Sequence, residues 1–160
     1  MINKDRLIKT FLELVQIDSP SDHEEEVANE LVKRLKKLGL VAKKDSYGNV
    51  IGKIDGEGET IMLNAHMDTV EPGRGIKPVI DGDIIKTDGT TVLGADPKAG
   101  VAAILEGLES VIEDKKKHLP IEVVFTRQEE LGMVGARNLD YSQINAKKGV
   151  TFDGEEGLEN

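Results

Sequence analysis

A chain of 160 residues, 38% of them hydrophobic, can bury one sizeable core without staples. It has no cysteine, which excludes a disulfide framework and thiolate metal sites and fits a reducing compartment. The net charge of -9 argues against nucleic acid as a partner. No apolar run approaches the roughly 20 residues of a membrane span, and the start lacks an apolar signal core, so a soluble cytoplasmic protein is expected.

Leu7, Ile8, Phe11, Leu12 and Val15 form one stripe and predict a helix over 3–15. Ser19-Pro20 ends it. Ser21 is expected to cap a second helix, with Glu24 as its capping-box partner. Val27, Leu31, Leu35 and Leu38 give that helix its buried face, and Gly39 stops it. His23, in the first turn, reads as a surface or capping residue. Strands over 41–44 and 50–54 flank a turn at 46–49, and a second turn follows at 55–58. The run 60–65 is nearly all apolar, as in a strand covered on both faces, and it ends in His66-Met67-Asp68. Val79-Ile80 and Ile84-Ile85 predict a small hairpin. A polar loop over 87–91 leads to Leu93-Gly94-Ala95-Asp96-Pro97 and a helix from Lys98 to about 114. The wide apolar face of that helix suits packing on a sheet. Lys115, Lys116 and Lys117 suit its C-terminal dipole, and His118 sits in the same exposed stretch. A strand over 121–126 ends in Arg127-Gln128-Glu129-Glu130. A short helix or turn is expected within 132–139, and a last strand over 149–152 ends in Asp153.

Strands alternating with helices predict a three-layer α/β/α domain with a mixed, mostly parallel sheet. Ligands of such sheets bind beyond the carboxyl ends of the strands. His66, Glu129-Glu130 and Asp153 all follow strands, and Asp96 precedes a helix. His66 and Asp68, two apart in extended chain, point the same way. They form either a structural pair or a ligand with the carboxylate that orients it. Asp96 is either a helix cap or a carboxylate shared by two metals roughly 3.5–4 Å apart. Glu129 and Glu130 are either solvated loop acids or a metal ligand beside a proton acceptor, since buried together they repel without a cation. Imidazole and carboxylates without sulfur suit zinc, cobalt or manganese.

Four segments occur in order: Asn64-Ala65-His66-Met67-Asp68-Thr69-Val70, Gly89 through Gly100, Glu129-Glu130-Leu131-Gly132 with Gly135-Ala136, and Phe152-Asp153-Gly154. This pattern resembles the co-catalytic di-zinc metallopeptidases that include peptidase T, glutamate carboxypeptidase and the aminoacylases. The stretches around Glu71-Pro72-Gly73 and Ile76-Lys77-Pro78 are most similar to the peptidase T-like branch. The resemblance implies a zinc-exopeptidase-like catalytic domain. It implies a tripeptidase- or aminopeptidase-like activity that hydrolyses the amide bonds of small peptides with a metal-bridging water. An N-acyl amino acid amidohydrolase is the alternative within the family. By the same resemblance His66 and Asp153 bind one Zn2+, Glu130 binds a second, and Asp96 bridges the two. Co2+ or Mn2+ can replace zinc. The catalytic residues are then Glu129, as general acid/base, and Asp68, which orients His66.

Members of this family are longer. They carry a lid and dimerisation domain after the region of Asp153, and a returning portion with one more histidine ligand. Residues 1–160 are therefore expected to be a single domain, the N-terminal portion of the catalytic domain, with an unpaired sheet edge. One metal site has its protein ligands complete (His66, Asp96, Asp153), and the other has only Asp96 and Glu130. Alone, such a chain is expected to be an inactive metal-binding fragment, with homodimers reserved for the full-length protein. The family commonly has a second aspartate at the position of Pro97, after a cis peptide. Before proline the cis penalty falls from about 2.5–4 to about 0.5–1 kcal/mol, so Asp96–Pro97 is expected to be cis.

Overall fold

Residues 1–153 are described in the computed structural model. Its strands are β1 (Val41–Lys44), β2 (Val50–Ile54), β3 (Ile61–His66), β4 (Val79–Asp81), β5 (Ile84–Lys86), β6 (Ile121–Thr126) and β7 (Lys148–Thr151). Five of them form a mixed sheet in the order β1-β2-β6-β3-β7. β1 with β2 and β2 with β6 are antiparallel, while β6 with β3 and β3 with β7 are parallel. β4 and β5 form the separate antiparallel hairpin that their sequence predicts. The register of the parallel strands sets the geometry of the site. His66 lies opposite Thr126, and the Phe152 amide donates to the Asn64 carbonyl at 2.7 Å. The carboxyl ends of β3, β6 and β7 therefore share one edge.

The helices are α1 (Lys4–Val15), α2 (Glu25–Lys37), α3 (Ala95–Glu113) and α4 (Val134–Arg137). α1, α2 and α3 bury their stripes in one large cluster with Val50, Ala65, Val123 and Phe125. Leu14, Leu31 and Leu35 are fully buried there, each contributing about 1.5–3 kcal/mol. Ile51 and Val124 point to the opposite face of the sheet, where Leu139 covers them and Met62 and Ile144 pack alongside. Glu122 fastens this cover. It pairs with Lys53 at 2.7 Å and accepts from the amides of Asn145 (2.9 Å) and Ala146 (3.0 Å). With so short a cover on that face, the first four residues of β3 are only half-buried, not enclosed on both sides as the apolar run predicts.

α2 ends as expected. Gly39 takes φ +89°, the Leu40 amide donates to Leu35 and the Gly39 amide to Lys36, closing a Schellman motif. Its start differs from the reading of Ser21 as a cap. The helix begins at Glu25, after Glu24, with no side-chain cap. Ser21 donates instead to Asp68 at 2.6 Å, and Glu24 turns inward. A buried carboxylate competes for the Ser21 hydroxyl better than a solvated helix end does. In α3, Asp96 is extended (φ -81°, ψ 112°), so the regular helix starts at Pro97, a favoured first-turn position. The Asp96–Pro97 peptide is cis as expected, and Glu71–Pro72 is cis as well. Among the described residues no helix is long and apolar enough to cross a membrane.

Candidate metal centre

His66, the last residue of β3, is buried. Its Nδ1 lies 3.2 Å from Asp68 Oδ1, and its Nε2 lies 2.8 Å from Asp96 Oδ1. An ionised carboxylate only accepts, so each ring nitrogen facing one donates, Nδ1 to Asp68 and Nε2 to Asp96, and the imidazole is held in its charged form. Asp68 is fully buried and does more than orient the ring. It also accepts from Ser21 Oγ at 2.6 Å, from the Glu129 amide at 2.9 Å and from the Glu130 amide at 3.2 Å. Burial by itself raises the Asp68 carboxyl. The bonds from His66, Ser21 and the Glu129 amide outweigh that and hold it at about 2.

Asp96 reaches His66 because its extended backbone lifts it off the helix. Among the described residues its carboxylate accepts no helix amide, so the cap alternative does not apply. Beyond β6 the chain turns through Gln128, which has a left-handed φ of +51°. This turn brings Glu129 Oε2 to 4.0 Å from His66 Nε2. Asp153, just past β7, brings Oδ1 to 3.9 Å from the same nitrogen. Donor atoms of His66, Asp96 and Asp153 all lie within 4.8 Å of one another, and so do those of His66, Glu129 and Glu130. All six residues singled out from the sequence thus meet at one edge. His66 is common to both groups, while Asp96 groups with Asp153 and not with Glu130. His23 and His118 belong to neither group.

The donor set fits divalent cations. Among the described residues no lysine or arginine pairs with Asp96, Glu129, Glu130 or Asp153, and His66 is the only basic neighbour of three of them. Burial raises the carboxyl of Glu129, and Asp153, Asp68 and Asp96 push it further, against His66. Burial likewise raises Glu130, helped by Asp96 and Glu129. Burial lowers His66, but Asp68 and Asp96 win and raise it. Each of these shifts reports excess negative charge around one imidazole, which a cation relieves. An open cleft of about 660 Å³ adjoins Asp96 and Asp153, lined by Pro97, Ala99, Gly100 and Phe152.

Several contributors escape the sequence reading. Lys98 is buried and donates to Ser19 Oγ at 2.6 Å, Thr69 Oγ1 at 2.8 Å and the Met67 carbonyl at 3.2 Å. It ties the strand end that carries His66 and Asp68 to the helix behind Asp96. Burial lowers its ammonium to about 8, against the fields of Asp68, Glu24 and Asp96. Its one signal was a lysine followed at once by the small and apolar Ala99-Gly100-Val101. Glu24 and Arg127 also lie under the site, paired at 2.8 Å.

A mixed α/β sheet thus gathers histidine and carboxylates beyond the carboxyl ends of its strands, where ligands of such sheets bind. The chain belongs to peptidase family M28, whose family model matches residues 49–153. It is 43% identical to the uncharacterized protein YqjE of Bacillus subtilis, over 97% of this chain and 44% of that protein. It is 32% identical to peptidase T of Bacillus pumilus, over 94% of this chain and 48% of that protein. The crystal structure of aminopeptidase PepT from Bacillus cereus superposes with a TM-score of 0.93 at 40% identity, over 97% of this chain and 44% of that one. The chain therefore spans about half the length of the curated relatives it matches.

Proposed function

We propose that residues 1–153 carry the metal-binding and proton-handling part of a peptidase that cleaves small peptides in the manner of a tripeptidase or aminopeptidase. One observation carries this reading: His66, Asp96, Glu129, Glu130 and Asp153, from four separate segments, converge on one strand edge, with no lysine or arginine partner among the described residues. Likeness to peptidase T and PepT supports the choice of substrate. The same reading takes the chain as the N-terminal portion of a catalytic domain.

His66, Asp96 and Asp153 would hold one ion, and Glu130 a second. Zinc suits these donors, with cobalt or manganese as replacements. When bound, such ions polarise the scissile carbonyl and lower the pKa of the attacking water. Asp68 would keep a proton of His66 on Nδ1 while a cation takes the place of the one on Nε2. Glu129 takes a proton from the attacking water and delivers it to the leaving amine. Its Oε2 stands 4.0 Å from His66 Nε2, close to where that ion would lie.

The test has two arms. Calorimetric titration with Co2+ is expected to show binding that is lost in His66→Ala and weakened in Asp153→Asn. Hydrolysis of trialanine by the protein that contains this segment is expected to fall by about 10²-fold or more in Glu129→Gln. Co2+ binding indifferent to His66, or turnover indifferent to Glu129, would refute the assignment.

A further inference from the structure

Glu24 has no part in the chemistry above, yet its side chain is fully buried. Its Oε2 accepts from Arg127 Nε at 2.9 Å and Nη2 at 2.8 Å, and its Oε1 accepts from the Gln128 amide at 3.0 Å. The next two amides, of Glu129 and Glu130, donate to Asp68. Three consecutive amides therefore end on two buried carboxylates, and the pair of glutamates hangs from them. The first of these amides belongs to Gln128, the left-handed residue. For a non-glycine residue that backbone costs on the order of 1 kcal/mol and persists only where its surroundings impose it. Other bonds add to the hold: Gln128 Nε2 donates to Asp22 Oδ1 at 2.9 Å, the Tyr47 hydroxyl donates to Gln128 Oε1, and the Gln128 carbonyl accepts from the Val134 amide at 3.0 Å. Arg127 is fixed through the Tyr47 carbonyl at 3.0 Å and, by its amide, through Asn49 Oδ1 at 3.0 Å.

We infer that Glu24 is a positioning residue for the Glu129–Glu130 segment: its carboxylate imposes the left-handed turn at Gln128 that aims both glutamates at His66. The inference rests on the proposed role of those glutamates, and it assigns to the segment between α1 and α2 a hold on the site from about a hundred residues away. Asp68 holds the far side of the same turn but also serves His66. Among the described residues the side-chain hydrogen bonds of Glu24 go only to Arg127 and Gln128 of this turn, so its loss is expected to be selective.

The experiment is Co2+ titration of the 160-residue chain, by calorimetry and visible absorption, with Glu130→Gln and Asp153→Asn as markers of the two donor groups. In Glu24→Ala the binding event that Glu130→Gln removes is expected to weaken about 10- to 100-fold, while the event marked by Asp153→Asn stays within about twofold. Equal weakening of both events, or of neither, overturns the inference. A titration in which Glu130→Gln removes nothing refutes the metal reading instead. Amide exchange then decides the positioning without any ion. Exchange at Gln128, Glu129 and Glu130 is expected to accelerate in Glu24→Ala while α1 and α3 keep their protection, and unchanged exchange overturns the inference. Should Glu24→Ala not fold, Glu24→Gln keeps the shape and one acceptor oxygen but sets an amide NH2 against Arg127. Adding Arg127→Met removes that clash and is expected to restore the weakened event. Failure to restore it also overturns the inference.

Discussion

Replacing Asp68 by asparagine tests the centre of the site, because four donors converge on its two oxygens. They are Ser21 Oγ, His66 Nδ1 and the amides of Glu129 and Glu130. Asparagine keeps one acceptor oxygen and turns an NH2 group towards the other pair. Two buried donors then lose their acceptor, at about 1–1.5 kcal/mol each, or about 2–3 kcal/mol together. A second route gives the same size. Depression of the Asp68 carboxyl from 3.8 to about 2 corresponds to about 2 kcal/mol of native-state stabilisation at neutral pH. The folded value lies below the unfolded one, so this stability is present above pH 3.8 and is lost as pH falls through about 2. Urea unfolding followed by circular dichroism, with chelator present, is expected to place Asp68→Asn about 2 kcal/mol below the parent at pH 7. The gap is expected to narrow on acidification. Equal stabilities at pH 7, or a gap that persists down to pH 2, would refute the view of Asp68 as a charged anchor.

Three further outcomes follow from separate parts of the structure. A Cβ at Gly100 would lie 2.2 Å from the Phe152 carbonyl oxygen, so Gly100→Ala is expected to displace Asp153 and weaken Co2+ binding about tenfold; unchanged affinity would count against the placement of Asp153 beside α3. Glu106 is held at about 2 chiefly by Arg6, with help from the Asn3 amide and Ser110. Arg6 is partly accessible and the pair therefore screened, so Glu106→Gln is expected to cost about 1–2 kcal/mol at pH 7, a loss that fades as pH falls from 4.5 towards 2; urea unfolding at several pH values checks this, and a pH-independent loss contradicts it. Lys98 titrates at about 8 when folded and at 10.5 when unfolded, so its buried charge opposes folding below pH 8 and that penalty lifts as pH rises to 10.5. Relative to Lys98→Met, the parent is expected to gain about 3 kcal/mol across that interval, and a flat difference curve in denaturant unfolding would show that the ammonium is not buried as described.

Where the determinants were local, the fold was legible. β1, β2 and β6 lie where their apolar runs and turn residues put them, and α1 starts one residue inside its predicted range, capped by Asn3. The hairpin of β4 and β5 and the left-handed stop at Gly39 were equally readable. The start of α2 was not. Ser21 and Glu24 have the spacing of a capping box, but both are claimed by partners far along the chain: Asp68 lies 47 residues from Ser21, and Gln128 lies 104 from Glu24. The same distance in sequence hid the bonds of Lys98 to Ser19 and Thr69. Residues that face the site carry types and strand-end positions that point to their chemistry. Residues that hold those in place carry ordinary local patterns, and only the pairing of the strands reveals what they do.

That division has an electrostatic basis. The buried acids beneath the site are compensated within the protein: Glu24 by Arg127, Asp68 by His66 with Lys98 nearby. A charge taken out of water without such a partner would cost several kcal/mol. Asp96, Glu129, Glu130 and Asp153 are left more accessible and lack a lysine or arginine partner among the described residues. Compensation below and its lack above concentrate negative potential on the side of His66 that faces outward. Replacing Asp68 or Glu24 should therefore disturb where the outer carboxylates stand, whereas replacing an outer carboxylate should remove affinity for a cation and spare the fold. The pair Asp153→Asn and Asp68→Asn separates these effects. The first is expected to lose Co2+ affinity with little change in unfolding free energy, and the second to lose both. Equal losses of stability in the two variants would mean that the acids facing outward also hold the structure together, and the division between a compensated floor and an uncompensated rim would fall.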